Sequence, residues 1–335
     1  MDISKIEKFY TVLIESTQLI KEDLNISFIE AFIESGENIL DNGTIQVEND
    51  LPSPDVRDEL RELYASLSIK ELTLQERKKA VQMMLINMVK EDGMQVNHQP
   101  TPDGIGVILS HFIDLFFDTN KSLHLADLSV GSGNLLYTIS TTLFSENNSV
   151  KLTGVENDEL LISLASTISA LLDISINLMH QDALQPLLLD PVDIMITDLP
   201  IGYYPKEVKT DQYQTAFEDG LSYSHYLLIE QGFNYLKENG YAFYILPTNV
   251  FESEEVKHLL KYVHSNGHVQ SIIHMPLEWF SSQKSRKSLF VVQKKGNNSK
   301  QVSEVLVADV PSVKDESAFK AFLLDIKQWK EKESI

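Results

Sequence analysis

Between residues 123 and 246, short apolar runs alternate with segments of helical periodicity, and no other feature of the chain limits its fold as tightly. The runs are Leu123–Leu128, Lys151–Val155, Ile174–Leu178, Val192–Thr197 and Tyr241–Leu246. Helical patterns fill 134–144, 157–172 and 222–238, the last ending at Asn239-Gly240, which reads as a C-terminal stop. Strand–helix repetition builds a parallel sheet covered on both faces. The expected class is therefore α/β, a doubly wound, seven-stranded, mostly parallel sheet. Val269–His274 and Ser288–Gln293, with only a loop between them, read as an antiparallel closing pair. Val305–Val307 is a candidate short edge strand, and 315–331 a last amphipathic helix.

Residues 1–92 carry a different pattern and are expected to form a helical N-terminal domain ahead of a sheet domain at 93–335. Ile6, Phe9, Tyr10, Leu13 and Ile14 recur at helical spacing, as do Phe28, Phe32 and Ile33. Ser53-Pro54 reads as an N-cap followed by a first-turn proline, and Thr73-Leu74-Gln75-Glu76 as a capping box. Met83, Met84 and Met88 are core filler on this reading, and Arg77-Lys78-Lys79 a solvated face. From Gly93 the chain turns polar, and Pro100 and Pro102 hold Asn97-His98-Gln99-Pro100-Thr101-Pro102 extended before a helix near Asp103.

Charge narrows the function. The 335 residues hold 49 acidic and 28 basic side chains, a net charge of −21, so the average surface repels phosphate. A protein that grips nucleic acid unaided presents a basic face; here a local patch or a partner is required. The late cluster Lys284, Arg286 and Lys287, with Lys294 and Lys295 beyond, reads equally as a phosphate contact or as solvated surface. Cysteine is absent, which excludes disulfides and thiolate metal sites. His98, His180 and His274 lack metal-ligand spacing, so no metal is expected. No apolar run approaches a membrane span and no signal segment opens the chain, so a cytoplasmic location is expected.

In a doubly wound sheet, ligands bind beyond the carboxyl ends of the strands where strand order reverses. The first strand ends in Asp127, followed by Ser129, Gly131, Gly133 and Asn134, a glycine turn that brings bare backbone and helix N–H groups to a ligand. The second ends in Glu156-Asn157-Asp158, the third is followed by Asp182-Ala183, and the fourth by Asp198-Leu199-Pro200-Ile201. Glu156 stands 23 residues after Gly133, where a carboxylate accepts both hydroxyls of a ribose. Asp182 can accept from an adenine amino group. The pair describes an adenosine cofactor. NAD is disfavoured because Leu136 stands where its fingerprint needs a third glycine, and no triphosphate-binding P-loop occurs. S-adenosylmethionine, which has no pyrophosphate, is the common adenosine cofactor that remains.

The order Gln99-x-Thr101-Pro102, Asp127-x-x-x-Gly131-x-Gly133-Asn134-Leu135, Glu156, Asp182, then Asp198-Leu199-Pro200 resembles the N6-adenine DNA methyltransferases, closest to the modification subunits of type I restriction systems. The resemblance spans roughly 70–296, including Ile273-His274-Met275-Pro276 and Leu289-Phe290-Val291-Val292. It implies a class I methyltransferase fold and S-adenosylmethionine as cofactor. It further implies that Thr101, Asp127, Ser129, Gly131, Gly133 and Asn134 hold the methionine end, Glu156 with Asn157 the ribose, and Asp182 with Ala183 the adenine. Asp198 would border the cofactor and accept from the target amine, helped by the Leu199 carbonyl and Pro200. DNA recognition is borrowed from a specificity subunit in that branch, and the chain has no room for a recognition domain of its own. The family's tetrapeptide is Asp/Asn-Pro-Pro-aromatic, whereas Leu199 and Ile201 depart from it. Ile201 cannot stack on a flipped base, and Tyr203 or Tyr204 is the substitute within reach. Two alternatives stay open: the same fold acting on an acceptor other than DNA, and a cofactor-binding protein that has lost transfer.

Overall fold

The computed structural model describes residues 1–118, 121–144, 150–253 and 255–334. Four helices lead the chain: α1 (Ile3–Leu24), α2 (Phe28–Leu40), α3 (Pro54–Ala65) and α4 (Leu74–Glu91). The capping box expected at Thr73/Glu76 forms, and Ser27/Glu30 makes a second one on α2. Ser53 does not cap α3. Its N–H and Oγ donate instead to Asp23 on α1, at 2.6 and 2.9 Å, a charge-assisted pair that turns the side chain toward α1.

After α5 (Asp103–Phe116) come β1 (Leu123–Asp127), α6 (Asn134–Leu143), β2 (Val150–Glu156), α7 (Glu159–Leu172), β3 (Asn177–His180) and β4 (Val192–Asp198). Then follow α8 (Ser224–Tyr235), β5 (Leu236–Pro247), α9 (Val256–Asn266), β6 (Gly267–His274), β7 (Lys287–Lys294), β8 (Leu306–Asp309) and α10 (Glu316–Glu333). The sheet runs β3-β2-β1-β4-β5-β7-β6-β8. Only β7 is antiparallel to its neighbours. The seven-strand expectation is thus corrected to eight, because the candidate edge segment does pair, parallel to β6.

Two other boundaries move, and one helix was not expected. Asp173 ends α7 in the left-handed region (φ 59°), and the Ile174 N–H turns back to the Ser169 carbonyl. Ile174 and Ile176 therefore fill the space beside the helix, and β3 starts three residues later than their hydrophobicity suggests. α8 stops at Tyr235 rather than at Asn239-Gly240, since Lys294 Nζ takes the Phe233 and Leu236 carbonyls at 2.5 and 2.7 Å. α9, unexpected from the sequence, carries Val256, Leu259, Tyr262 and Val263 onto the sheet.

Alternation along the strands separates two cores. Leu125, Leu152, Ile194, Phe243, Ile245 and Val291 face α5 and α6, while Ala126, Met195, Tyr244, Leu246 and Phe290 face α8 and α9. A third core joins the N-terminal helices to the outer side of α7 through Leu161, Leu164, Ile168, Leu171 and Leu172. Contact there is close: a Cβ on Gly36 would lie 2.4 Å from Thr167 Cγ2. Arg77 donates to the Leu171 carbonyl at 3.2 Å and Lys78 to Thr141 Oγ1 at 2.7 Å, so this stretch is an internal joint and not the solvated face its charge suggested. Met84 and Met88 are fully buried in the same core. Among the described residues, no helix is long and apolar enough to cross a membrane.

Candidate active site

Strand order reverses between β1 and β4, and the turn after β1 is built there. Gly131 (φ 53°) and Gly133 (φ 80°) both occupy the left-handed region. A Cβ on Gly133 would strike the Tyr137 ring at 2.3 Å, whereas one on Gly131 would meet nothing within 4 Å. The turn is pinned to β2: Val130 N–H donates to the Val155 carbonyl at 3.0 Å and Gly131 N–H to Glu156 Oε2 at 2.9 Å. Glu156 Oε1 accepts from the N–H groups of Asn157 and Asp158 at 2.9 and 3.1 Å. Asp127, 1% exposed, lies beneath the turn and accepts from Ser129 N–H at 3.0 Å. Burial pushes its carboxyl up to about 8.

Two neighbouring chambers open above the strand ends. The larger, about 690 Å³, brings Glu156, Asn157, Asp182 and Ala183 together with Tyr203 and Tyr204. The smaller, about 290 Å³, is lined by Thr101, Gly131, Asn134, Asp198, Leu199 and Lys287. Asn97, His98, Ser129 and Pro200 border both. Of the residues singled out from the sequence, Asp127 and Gly133 are not on either wall; they are buried under it.

The segment before α5 reaches across this crevice. Asn97 Nδ2 donates to the Ile201 carbonyl at 2.9 Å, and its Oδ1 accepts from Ile201 N–H at 3.3 Å. Asn134 Nδ2 donates to the Thr101 carbonyl (2.7 Å) and to Asp103 Oδ1 (3.0 Å), fixing the end of the strap to the start of α6. Thr101 Oγ1 then donates to Asp198 Oδ2 at 2.8 Å. Lys287 Nζ lies 2.7 Å from both oxygens of the same carboxylate. Leu199, 3% exposed, is anchored by its N–H on the Ile245 carbonyl at 2.9 Å.

The two tyrosines diverge. Tyr204 donates its hydroxyl to Asp182 Oδ2 at 2.6 Å, and burial together with that carboxylate pushes the phenol up to about 12. It cannot turn to stack on a base without releasing Asp182. Tyr203 is 58% exposed, one face stacked on Tyr223 at 4.8 Å, which in turn stacks on His225 at 5.1 Å. Lys206 reaches Asp182 at 3.6 Å.

Sequence reasoning named Lys287 only as part of a basic cluster and missed its pairing with Asp198, the bond of the Tyr204 hydroxyl to Asp182 and the paired bonds of Asn97. Most of the late basic cluster is engaged within the fold, while Lys284 is exposed. Arg286 pairs with Asp309 at 2.6 Å and with the Met275 carbonyl, Lys295 takes the His264 and Ser265 carbonyls, and Lys294 caps α8. Among the described residues, no group of three or more His, Asp or Glu is arranged to hold a metal ion.

Comparison with known proteins agrees with this architecture. The family model for the YtxK N-terminal helical domain matches residues 7–88, and that for the N-6 DNA methylases matches 81–325. Protein YtxK of Bacillus subtilis (strain 168) is 32% identical over 324 residues, covering 97% of each chain. A Listeria monocytogenes structure described as a class I S-adenosylmethionine-dependent methyltransferase is 33% identical, with TM-score 0.90, covering 98% of this chain and 99% of that one. The methyltransferase subunit of a type I restriction-modification system from Streptococcus thermophilus shares the fold at 15% identity, with TM-score 0.65, covering 96% of this chain and 74% of its own. With a doubly wound sheet, a glycine turn at its switch point and a matching profile across most of its length, the chain belongs to the N-6 DNA methylase family.

Proposed function

We propose that this chain is an S-adenosylmethionine-dependent methyltransferase acting on the exocyclic amine of adenine in DNA. The observation that carries the reading is the pair of adjacent chambers sharing Asn97, His98, Ser129 and Pro200, with Glu156 in one and Asp198 in the other. The residues present fit the cofactor: Gly131 leaves bare backbone facing open space, and Glu156, with three backbone donors, keeps one acceptor position, on Oε2, for one ribose hydroxyl. Glu156 and Asn157 would hold the ribose, and Asp182 with Ala183 the adenine. Thr101, Ser129, Gly131 and Asn134 would hold the methionine end, with Asp127 and Gly133 shaping the turn from below. S-adenosylmethionine, when bound, supplies an electrophilic methyl group.

The chain's own contribution is to ready a poor nucleophile. The lone pair of an exocyclic amine is delocalised into its ring. Asp198 Oδ and the Leu199 carbonyl accept the two amine hydrogens and return that pair to the nitrogen. Pro200 stiffens the tetrapeptide, and the exposed face of Tyr203 offers the stacking surface that Ile201 lacks. A net charge of −21 and the internal engagement of Arg286, Lys294 and Lys295 support DNA recognition through a partner specificity subunit, and the proposed location is the cytoplasm.

Calorimetry with S-adenosylmethionine, followed by methyl transfer onto unmethylated DNA, tests the reading. Asp198→Ala is expected to bind the cofactor almost unchanged and to lose transfer. Glu156→Ala is expected to lose about 1–3 kcal/mol of cofactor affinity, the value of a charge-assisted hydrogen bond. Absence of cofactor binding by the native protein sinks the proposal; binding without transfer onto DNA moves the chain to another acceptor or to a purely binding role.

A further inference from the structure

The reading above gives one of the two amine hydrogens to the Leu199 carbonyl, so the direction of that carbonyl decides how well the amine is held. Its upstream side is fixed. Leu199 is 3% exposed, and its N–H donates to the Ile245 carbonyl at 2.9 Å, one residue past the last β4–β5 pair. Downstream, the ring of Pro200 sets its own φ. The φ and ψ of Leu199 and the ψ of Pro200 are the soft torsions that remain before Ile201. Rotation about the first two re-aims the Leu199 carbonyl.

The far end of this stretch is held at Ile201. Asn97 takes both of its backbone groups, Nδ2 donating to the carbonyl at 2.9 Å and Oδ1 accepting from the N–H at 3.3 Å. The next hold is Ser224 N–H on the Gly202 carbonyl at 2.9 Å, and Gly202 (φ 142°) is a residue free to turn. A planar amide suits the task, because it offers a donor and an acceptor side by side where a carboxylate offers acceptors alone. Further along the same segment, Thr101 Oγ1 donates to Asp198 Oδ2 at 2.8 Å. The segment therefore grips the tetrapeptide twice, on the side chain of the first acceptor and on the backbone just past the second. Its own placement is set by Asn134, whose Nδ2 donates to the Thr101 carbonyl at 2.7 Å. Asn97 borders both chambers and keeps a second amide hydrogen, so a direct contact with a ligand is the competing role.

We infer that Asn97 is a positioning residue for the reaction: by holding both backbone groups of Ile201, it aims the Leu199 carbonyl at the target amine beside Asp198. The inference rests on the reading of that carbonyl as the second amine acceptor. An amine with one hydrogen left unaccepted keeps more of its lone pair in the ring, and the rate suffers more than binding. Misplacement by about 1 Å can cost on the order of 100-fold in rate.

The experiment compares the native protein with Asn97→Ala and Asn97→Asp. The second variant keeps an acceptor for the Ile201 N–H but sets another oxygen against its carbonyl. Asn97 is exposed, so both variants are expected to fold, as circular dichroism checks. Backbone amide exchange over 199–204 is read by mass spectrometry and S-adenosylmethionine affinity by calorimetry. Transfer from labelled S-adenosylmethionine onto unmethylated DNA is resolved into kcat and KM. Both variants are expected to exchange faster over 199–204 and to bind the cofactor within about twofold of native. They are expected to lose about tenfold or more in kcat, with KM nearly unchanged. Unchanged exchange overturns the inference, since Ile201 is then held without Asn97. Faster exchange with kcat retained also overturns it, and leaves Asn97 a structural tie. A loss carried by KM or by cofactor affinity overturns it as well, and makes Asn97 a contact for substrate or cofactor. If the native protein binds the cofactor and does not transfer to DNA, the reading of the Leu199 carbonyl falls and takes this inference with it.

Discussion

Gly131 and Gly133 share one turn and one region of backbone space, yet a methyl group added to each meets different surroundings. At Gly133 the left-handed strain is joined by a 2.3 Å encounter with the buried Tyr137 ring, whose hydroxyl is held by the Ala165 carbonyl. Gly133→Ala should therefore cost about 2–4 kcal/mol of stability, measured by urea unfolding. Gly131→Ala should cost only about 1–2 kcal/mol, the strain alone. Its methyl points into the chamber, so calorimetry should find cofactor affinity reduced more than stability. The reverse ranking would mean that the turn does not face a ligand. These two positions were readable because glycine at a strand end has few other uses. Lys287 was not readable: its carboxylate partner lies 89 residues away in sequence, and nothing local separates an inward-turned lysine from a solvated one.

Elements were legible where their own residues decide them. The capping box on α4 and the alternation of β1 are such cases. Ser53, β3 and the end of α8 were misplaced because a distant carboxylate, a packed isoleucine pair and a lysine on β7 overrode the local signal. The α4 cap carries a further consequence. Glu76 accepts from the N–H groups of Asp2 and Thr73 at 2.8 and 3.0 Å, so one carboxylate ties the chain's start to the helix. Those hydrogen bonds hold its pKa down to about 2, against an ordinary 4.5. A depressed carboxyl stabilises the fold fully above its unfolded value, and the contribution disappears as pH falls from about 4.5 toward 2. Glu76→Gln should flatten the fall of the unfolding midpoint across that window. An unchanged slope would assign the acid sensitivity to other groups.

For the whole molecule, the helical layer and the sheet domain are separate in chain order but not in packing. The third core is shared between α1, α2, α4 and α7, and Phe32 is fully buried within it. Phe32→Ala should lower stability by about 3–5 kcal/mol. It should also lower the single temperature at which near-ultraviolet dichroism and cofactor-dependent fluorescence are lost together. Two resolved transitions would show that the layers unfold independently. One last property follows from the reversal of β7. The parallel strands β1 to β5 deliver their C-terminal ends to the crevice, and a residue contributed there is followed at once by a connecting segment. β7 delivers its beginning, so Lys287 is followed by a ladder that locks it in register. The chain joining β6 to β7 can therefore lengthen or change in evolution without displacing that ammonium. This makes the connection the natural place for relatives of this protein to graft new contacts beside an unaltered reaction centre.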